Sequence, residues 1–458
     1  METATKRVLI IVSSYEPVIN PDMHRARILC HELPKLGWEV EILTPGTDFQ
    51  RPTAIDRDCA IFFDHRVLVH TVAPWQAWLF RLLRMESSGW RAWWPIFREG
   101  SRLLRTGRFD LVYFSTTQFS LFCLGPPWWF RFKIPYVLDF QDPWYSKTPK
   151  HVTTERRLKW MLANWLAKPL QRFAIGQAQA LVAVSQKYLD ELQELFLGRP
   201  FPWLAPGRCE AIPFAGSLND IEATRRALAA QTPDGQAIKP PPLPDDRRLE
   251  IVYVGAGAIT RLRGWEALCA AATIVRQRNP QLFHRFQVRL YGTTGHAAAF
   301  GSGLLERTAE AAGLPGFAEE FPAQVGYFRS LELASRAAGL LILGVDDAAY
   351  TPSKLFSYLL FDRPVLAVCH SRSPAAEFLR SRPDMGHLID FDQDSPTRNE
   401  QWADSLQEFM QQVVEGRTFH RAGDLAEHLP AAMARRHVEL FNRCVPVGSD
   451  IEARPAGA

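Results

Sequence analysis

Short, uninterrupted apolar runs recur along this chain at intervals long enough to hold a helix, and that pattern leaves few folds open. The first run is Val8-Leu9-Ile10-Ile11-Val12. A loop over 13–24 and a helical pattern from Arg27 to Leu33 follow, and Gly37 ends the helix. Residues 38–43 then read as a second strand. Strand, helix, glycine and strand make a βαβ unit, because parallel neighbours need a crossover between them. Further runs at 109–114, 134–139 and 180–185 extend the series. Runs without polar alternation mark strands covered on both faces by helices. The first half is therefore expected to be a doubly wound α/β domain.

The stretch from Ala229 to Asp246 breaks the pattern with prolines and polar residues and reads as an extended linker or surface insertion. The alternation then restarts, with strands expected at 249–255, 286–292, 339–344, 364–368 and 387–390 and a helix from Trp265 to Arg278. At 458 residues the chain exceeds one ordinary core. The expected organisation is an N-terminal domain over 1–205, a linker over 206–248, a C-terminal domain over 249–424, and a helix over 425–445 that returns to brace the first domain. The last residues, 448–458, are expected to be a loose end. Two such domains in tandem would face one another across a central cleft, with ligands at the carboxyl ends of the strands.

Composition excludes several classes. Hydrophobic residues make up 47% and charged residues 22%, the profile of a folded soluble chain. A net charge of +4 is too small to indicate a nucleic-acid binder, although it suits anionic ligands or an anionic membrane surface. The seven cysteines are scattered without CxxC spacing, so neither a disulfide scaffold nor a zinc site is expected. No apolar stretch is long enough to span a bilayer. A cytoplasmic protein, at most peripheral to the inner face of the plasma membrane, is the expectation.

Four loops after strands hold candidate chemistry. Gly255-Ala256-Gly257 with Arg261 and Arg263 would let a backbone approach a phosphate and two guanidiniums clamp a diphosphate. A tight turn beside solvated arginines is the alternative. Pro352-Ser353-Lys354 reads as a helix start whose amides and lysine favour an anion, or as an ordinary capped helix. Asp139 and Asp142 close a buried strand, where carboxylates contact sugar hydroxyls or act as a base. Asp142 initiating a turn before Pro143 competes with that reading. The loop with Ser14, Tyr15, His24 and Arg25 follows the first strand and could hold an acceptor, or be a plain loop with a cap at Asp22. The remaining histidines lack metal spacing.

Three stretches carry a resemblance to a known family. LPKLGWEVEILTP resembles its first helix-to-strand turn, IPYVLDFQDPW its D-x-x-D-P-W segment, and YTPSKLFSYLLFDRPVLAV its P-S-K-L-x-E-Y-L-A-x-G-x-P-V donor signature. From Arg7 to Asn442 the chain resembles glycosyltransferase family 4, a group of mostly retaining enzymes. The resemblance implies the GT-B fold of two Rossmann-like domains and a hexosyltransferase-like activity. It implies a nucleotide-sugar donor held by the C-terminal domain, with Arg261, Arg263 and Lys354 on the diphosphate and Ser357 at the ribose position. It implies no metal or other cofactor. Acceptor contacts would fall near the first loop and near Asp139 or Asp142. One departure stands out: the family's E-x7-E pair is absent, with Ala349 and Ser357 at its positions. Asp346 and Asp347 are the nearby acids that could stand in for the first.

Trp75, Trp78, Trp90, Trp93, Trp94 and Phe97 are interleaved with arginines, and Trp128-Trp129-Phe130-Arg131-Phe132-Lys133 is a second such cluster. That mixture suits a membrane interface, against the alternative that the rings fill a core. The leading expectation is glycosyl transfer to a lipid-linked or polysaccharide acceptor in surface-polysaccharide assembly. A nucleotide-sugar epimerase is a second enzyme reading. A catalytically silent GT-B protein binding a partner or glycan at the membrane is the alternative from another class.

Overall fold

The structure is a computed structural model that describes residues 5–18, 21–47, 55–76, 87–145, 154–198, 200–230, 248–256, 258–293, 303–392 and 398–445. The chain divides into two compact units, residues 1–213 with 430–458, and residues 214–429.

The first unit is built on seven strands: β1 (Lys6–Ile11), β2 (Trp38–Pro45), β3 (Leu68–Val72), β4 (Leu111–Ser115), β5 (Tyr136–Phe140), β6 (Ala180–Ala183) and β7 (Cys209–Ala211). They lie in the order β3-β2-β1-β4-β5-β6-β7, and every pairing is parallel. Val8 pairs with Val40 and Ile10 with Ile42. The winding direction reverses between β1 and β4, which is where a doubly wound sheet opens a crevice at its carboxyl edge. The expected first helix is longer than its apolar pattern. It runs from Pro21 to Glu32, tightens into a 3-10 turn over Leu33–Leu36, and ends at Gly37. Gly37 has φ 80°, a left-handed cap for which glycine carries no steric penalty.

The second unit repeats the plan with β8 (Leu249–Val254), β9 (Phe286–Tyr291), β10 (Ala318–Phe321), β11 (Gly339–Leu343), β12 (Val365–His370) and β13 (His387–Phe391). Their order is β10-β9-β8-β11-β12-β13, again parallel, with the reversal between β8 and β11. The helices Ala258–Arg278 and Asn399–Val414 cover one face, and Trp265, fully buried, donates from Nε1 to the Leu305 carbonyl at 2.7 Å.

The segment expected to be a linker, 206–248, is not one kind of structure. Cys209–Ala211 is the edge strand β7, and Leu218–Ala230 is a helix of the second unit, tied to its neighbour Tyr327–Arg336 by Tyr327 Oη donating to Asp220 at 2.8 Å. Residues 231–247, which hold the proline-rich run, lie outside the described residues. The helix Pro430–Cys444 belongs to the first unit: Phe441 packs edge-on against Trp38 at 5.5 Å, and Arg436 donates to the Ala211 carbonyl at 2.8 Å.

The aromatic clusters divide between core and surface. Trp128 is fully buried, stacked on Phe97 and Phe114 with Nε1 donating to Ser101 at 3.0 Å, and Ile96 is buried with it. Trp90, Trp93 and Phe97 are half-buried. For Trp128 the core reading holds. Trp75, Trp94 and Phe130 remain exposed, and residues 77–86, with Trp78, lie outside the described residues.

Candidate active site

In the second unit, β8 delivers Gly255 to the carboxyl edge beside β11. A Cβ at Gly255 would fall 2.4 Å from Tyr253 Oη, so the close approach of this turn to the tyrosine requires glycine. Gly257 lies outside the described residues. The helix that starts at Ala258 brings Arg261 back over the strand reversal. Its Nε donates to the Leu343 carbonyl at 3.1 Å and its Nη2 to Tyr350 Oη at 3.2 Å. Half-buried Lys354 stands near this guanidinium without a hydrogen bond or ion pair among the described residues. Burial, and then the charge of Arg261, lower its pKa to about 8. Tyr253 Oη, buried beside them, has no hydrogen-bond partner among the described residues. Two cations with no acid between them and an orphaned hydroxyl are costly in isolation. An anionic oxygen-rich ligand satisfies all three.

Arg261 and Arg263 do not act as a pair. Two residues along a helix turn the side chain by about 200°, and Arg263 instead pairs at 3.3 Å with Asp346, which also lies 4.0 Å from His370 Nε2. Beyond β12 and β13 a polar cavity of about 640 Å³ opens, lined by His370, Ser371, Arg372, Asp390 and Arg398 among others. The expected helix start at Pro352-Ser353 is corrected. Pro352 is buried, Ser353 is exposed, and the helix runs only from Leu355 to Leu359 with Lys354 as its N-cap. Such a short helix contributes little dipole, so the cations carry the site. Ala349, at the first glutamate position, is buried, and Ser357 is half-buried. Asp347 is engaged in a local turn, accepting from the Ala349 amide at 3.0 Å.

In the first unit the expected acceptor residues are mostly structural. Arg25 and Asp139 are both fully buried, with Nε 2.9 Å from the carboxylate, and Arg25 also donates to the Ile212 carbonyl at 2.6 Å. Ser115 Oγ and Gln141 Nε2 donate to the same oxygen, Oδ2, at 3.2 and 3.0 Å, and Oδ1 is buried without a hydrogen bond among the described residues. Asp139, expected as an open reacting group, is thus enclosed against Arg25, an arrangement that suits a positioning role. Ser14 and Tyr15 are buried as well, Tyr15 lying edge-on to Phe63 with its hydroxyl 3.5 Å from Cys30. His24 keeps partial exposure. Asp142 is the open carboxylate of the group. It meets solvent, yet protein crowds it from enough directions that desolvation, and then the charge of Asp22, raise its pKa to about 6. Asp22 itself is buried, accepts a hydrogen bond from Ser13, and is raised to about 6 by burial.

Residues 25–201 match the family model described as Glycosyltransferase Family 4. That match covers less than half of the chain, and the two parallel sheets are those of the GT-B fold. Among solved structures, Anabaena HepE in complex with UDP and glucose is similar over 95% of this chain and 99% of its own, at 13% identity and a TM-score of 0.55. The N-terminal domain of Candida albicans trehalose-6-phosphate phosphatase covers 97% and 98%, at 11% identity and 0.60. The lipopolysaccharide outer core galactosyltransferase WaaB, in its apo form, covers 95% and 99%, at 11% and 0.51. At these identities the likeness is one of fold. No curated protein matches the chain in sequence.

Sequence reasoning found Arg261 and Lys354 but missed Tyr253 and Tyr350. Tyr253 was visible as a polar ring near the carboxyl end of a buried strand, two residues before an obligatory glycine. The Arg25–Asp139 pair had no local signal, since its partners are 114 residues apart in sequence (139 minus 25).

Proposed function

We propose that this protein is a glycosyltransferase of the family 4 type that transfers a sugar from a nucleoside diphosphate sugar to a lipid-linked or polysaccharide acceptor, with retention, in surface-polysaccharide assembly. The observation that carries the reading is the Arg261–Lys354 pair of cations at the β8–β11 reversal, facing no acid among the described residues. A diphosphate placed there would meet a guanidinium, an ammonium and the Tyr253 hydroxyl. In the transfer the bond from the anomeric carbon to the phosphate oxygen breaks, a bond to the acceptor hydroxyl oxygen forms, and the acceptor proton passes to the departing diphosphate. The cations stabilise the charge that develops on that leaving group and so lower the barrier without a metal. The cavity beside Asp346 and His370 offers polar groups to the sugar, and Asp142, with His24, offers an open polar surface to the acceptor. That HepE was determined with UDP and glucose, and that WaaB is a lipopolysaccharide galactosyltransferase, supports a donor and acceptor of these classes.

The loss of both glutamates, with Ala349 buried at the first position, favours a second reading: a silent GT-B protein that binds a partner or glycan at the membrane. A thermal-shift screen against uridine, guanosine and thymidine diphosphate sugars, repeated with Lys354→Ala, separates the two. A nucleotide-specific stabilisation that the variant loses is the expected result, and turnover of that sugar then follows. No shift with any nucleotide sugar would select the silent reading.

A further inference from the structure

The helix Thr154–Ile175 of the first unit is buried on one side only. Ala167, Gln171, Ala174 and Ile175 face the domain, and Tyr136 Oη donates to the Ala174 carbonyl at 2.7 Å. Met161, Trp165, Leu166 and Phe173 are exposed, Trp165 to 72%. At about 100° per residue, Met161, Trp165, Lys168 and Arg172 fall within an arc of about 60°, which Phe173 and Leu166 extend to about 160°. The neighbouring helix Gly125–Phe132 adds Phe130, 61% exposed, with Lys133 Nζ 5.8 Å from its ring. An apolar patch of this extent on a soluble unit marks a binding surface.

Charge decides what it binds. On the exposed arc of the 154–175 helix the charged residues are Lys168 and Arg172, both cations. The adjoining segment carries Arg131 and Lys133 and no acid. A second copy of the chain would set this basic arc against itself about a two-fold axis. An anionic headgroup layer instead accepts the cations among its phosphates while the tryptophan, phenylalanine and methionine enter the acyl boundary.

We propose that this face docks on an anionic lipid bilayer, with the 154–175 helix lying in the headgroup plane. The proposal deepens the reading above by naming the surface at which a lipid-linked acceptor is met, and it shares with that reading only the membrane setting. No residue of the 154–175 helix belongs to the aromatic stretches that the sequence alone singled out, whereas Phe130, Arg131 and Lys133 do.

The test is co-sedimentation of the full chain with vesicles of phosphatidylcholine, with and without phosphatidylglycerol. Expected is binding to the phosphatidylglycerol vesicles that weakens with added salt. The double variant Trp165→Ser/Phe173→Ser should lose about tenfold or more in partitioning, from the apolar area no longer withdrawn from water. Leu197→Ser, at an 84% exposed site on another element, should bind as wild type and serves as the control. The proposal is overturned if the wild-type chain ignores anionic vesicles, if the double variant binds equally, or if light scattering shows a dimer that the double variant dissolves. A nucleotide-sugar thermal shift on the same preparations keeps the two ideas apart. Vesicle binding without any nucleotide shift would sink the transferase reading and leave this surface standing.

Discussion

Replacing Asp139 tests the separation of structural from reacting carboxylates most directly. Its carboxylate and the Arg25 guanidinium are fully buried and 2.9 Å apart. At an effective dielectric near 20, that separation corresponds to an attraction of about 6 kcal/mol before desolvation is subtracted. Desolvation offsets most of it, so the intact pair adds little net stability. Removing one partner is different, because the other charge stays buried without compensation, at a cost of about 3–5 kcal/mol. For a unit of this size each kcal/mol moves the melting temperature by about 2–4 °C. Asp139→Asn and Arg25→Met should therefore each lower Tm by about 6–20 °C. The double variant Arg25→Met/Asp139→Leu should cost less than either single change, since no bare charge remains, although Ile212, Ser115 and Gln141 each lose a hydrogen-bond partner worth about 1 kcal/mol. Urea and thermal unfolding of the four proteins complete the cycle. The reasoning fails if Asp139→Asn melts within about 2 °C of wild type while its turnover collapses, which is how a solvent-facing catalytic base would behave.

Two further outcomes follow from pKa shifts. Lys354 is charged below a pKa of about 8, so nucleoside diphosphate affinity should hold up to that pH and decline above it. Titration calorimetry from pH 6.5 to 9.5 should show this decline in wild type and a flat profile in Lys354→Ala; equal slopes would remove Lys354 from the site. His437 is buried between Tyr113 Oη at 3.1 Å and the Met433 carbonyl at 2.7 Å, and burial lowers its pKa to about 3. Between that value and the ordinary 6.5 the unfolded chain binds the extra proton, so its stabilising contribution is whole above about pH 6.5 and is lost on acidification. From pH 6.5 to 4.5 the loss is on the order of 2–3 kcal/mol, and His437→Gln should flatten that part of the urea-unfolding profile.

The elements that were legible in the sequence are those whose signal is local. β1, β4, β6, β11 and β12 are largely continuous apolar runs, because a strand covered on both faces has no solvent side to alternate towards, while β2 (WEVEILTP) and β9 (FQVRLY) were legible as alternating strands. The strands that went unforeseen are β3, β7 and β10, with sequences LVHTV, CEA and AEEF. Each lies at the outer end of its sheet, where one flank is open and polar residues cost little. Arg261 and Lys354 were readable from motif spacing, since a strand end and a helix start place their residues within a few positions of each other.

What only the tertiary structure decided is which polar groups are enclosed. Asp139 and Asp142 look equivalent along the chain, two carboxylates three residues apart at a strand end. Burial beside Arg25 assigns the first to the scaffold and leaves the second open to solvent. Trp128 lies in a stretch that read as interfacial, and Trp165 in one that drew no such reading. One fills the core against Phe97 and Phe114, and the other stands in water. By itself the sequence determined two doubly wound units, because hydrophobic periodicity acts over a handful of neighbouring residues. The roles of Arg25 and Asp139 were settled by residues more than a hundred positions away, whose proximity exists only after the sheet has formed.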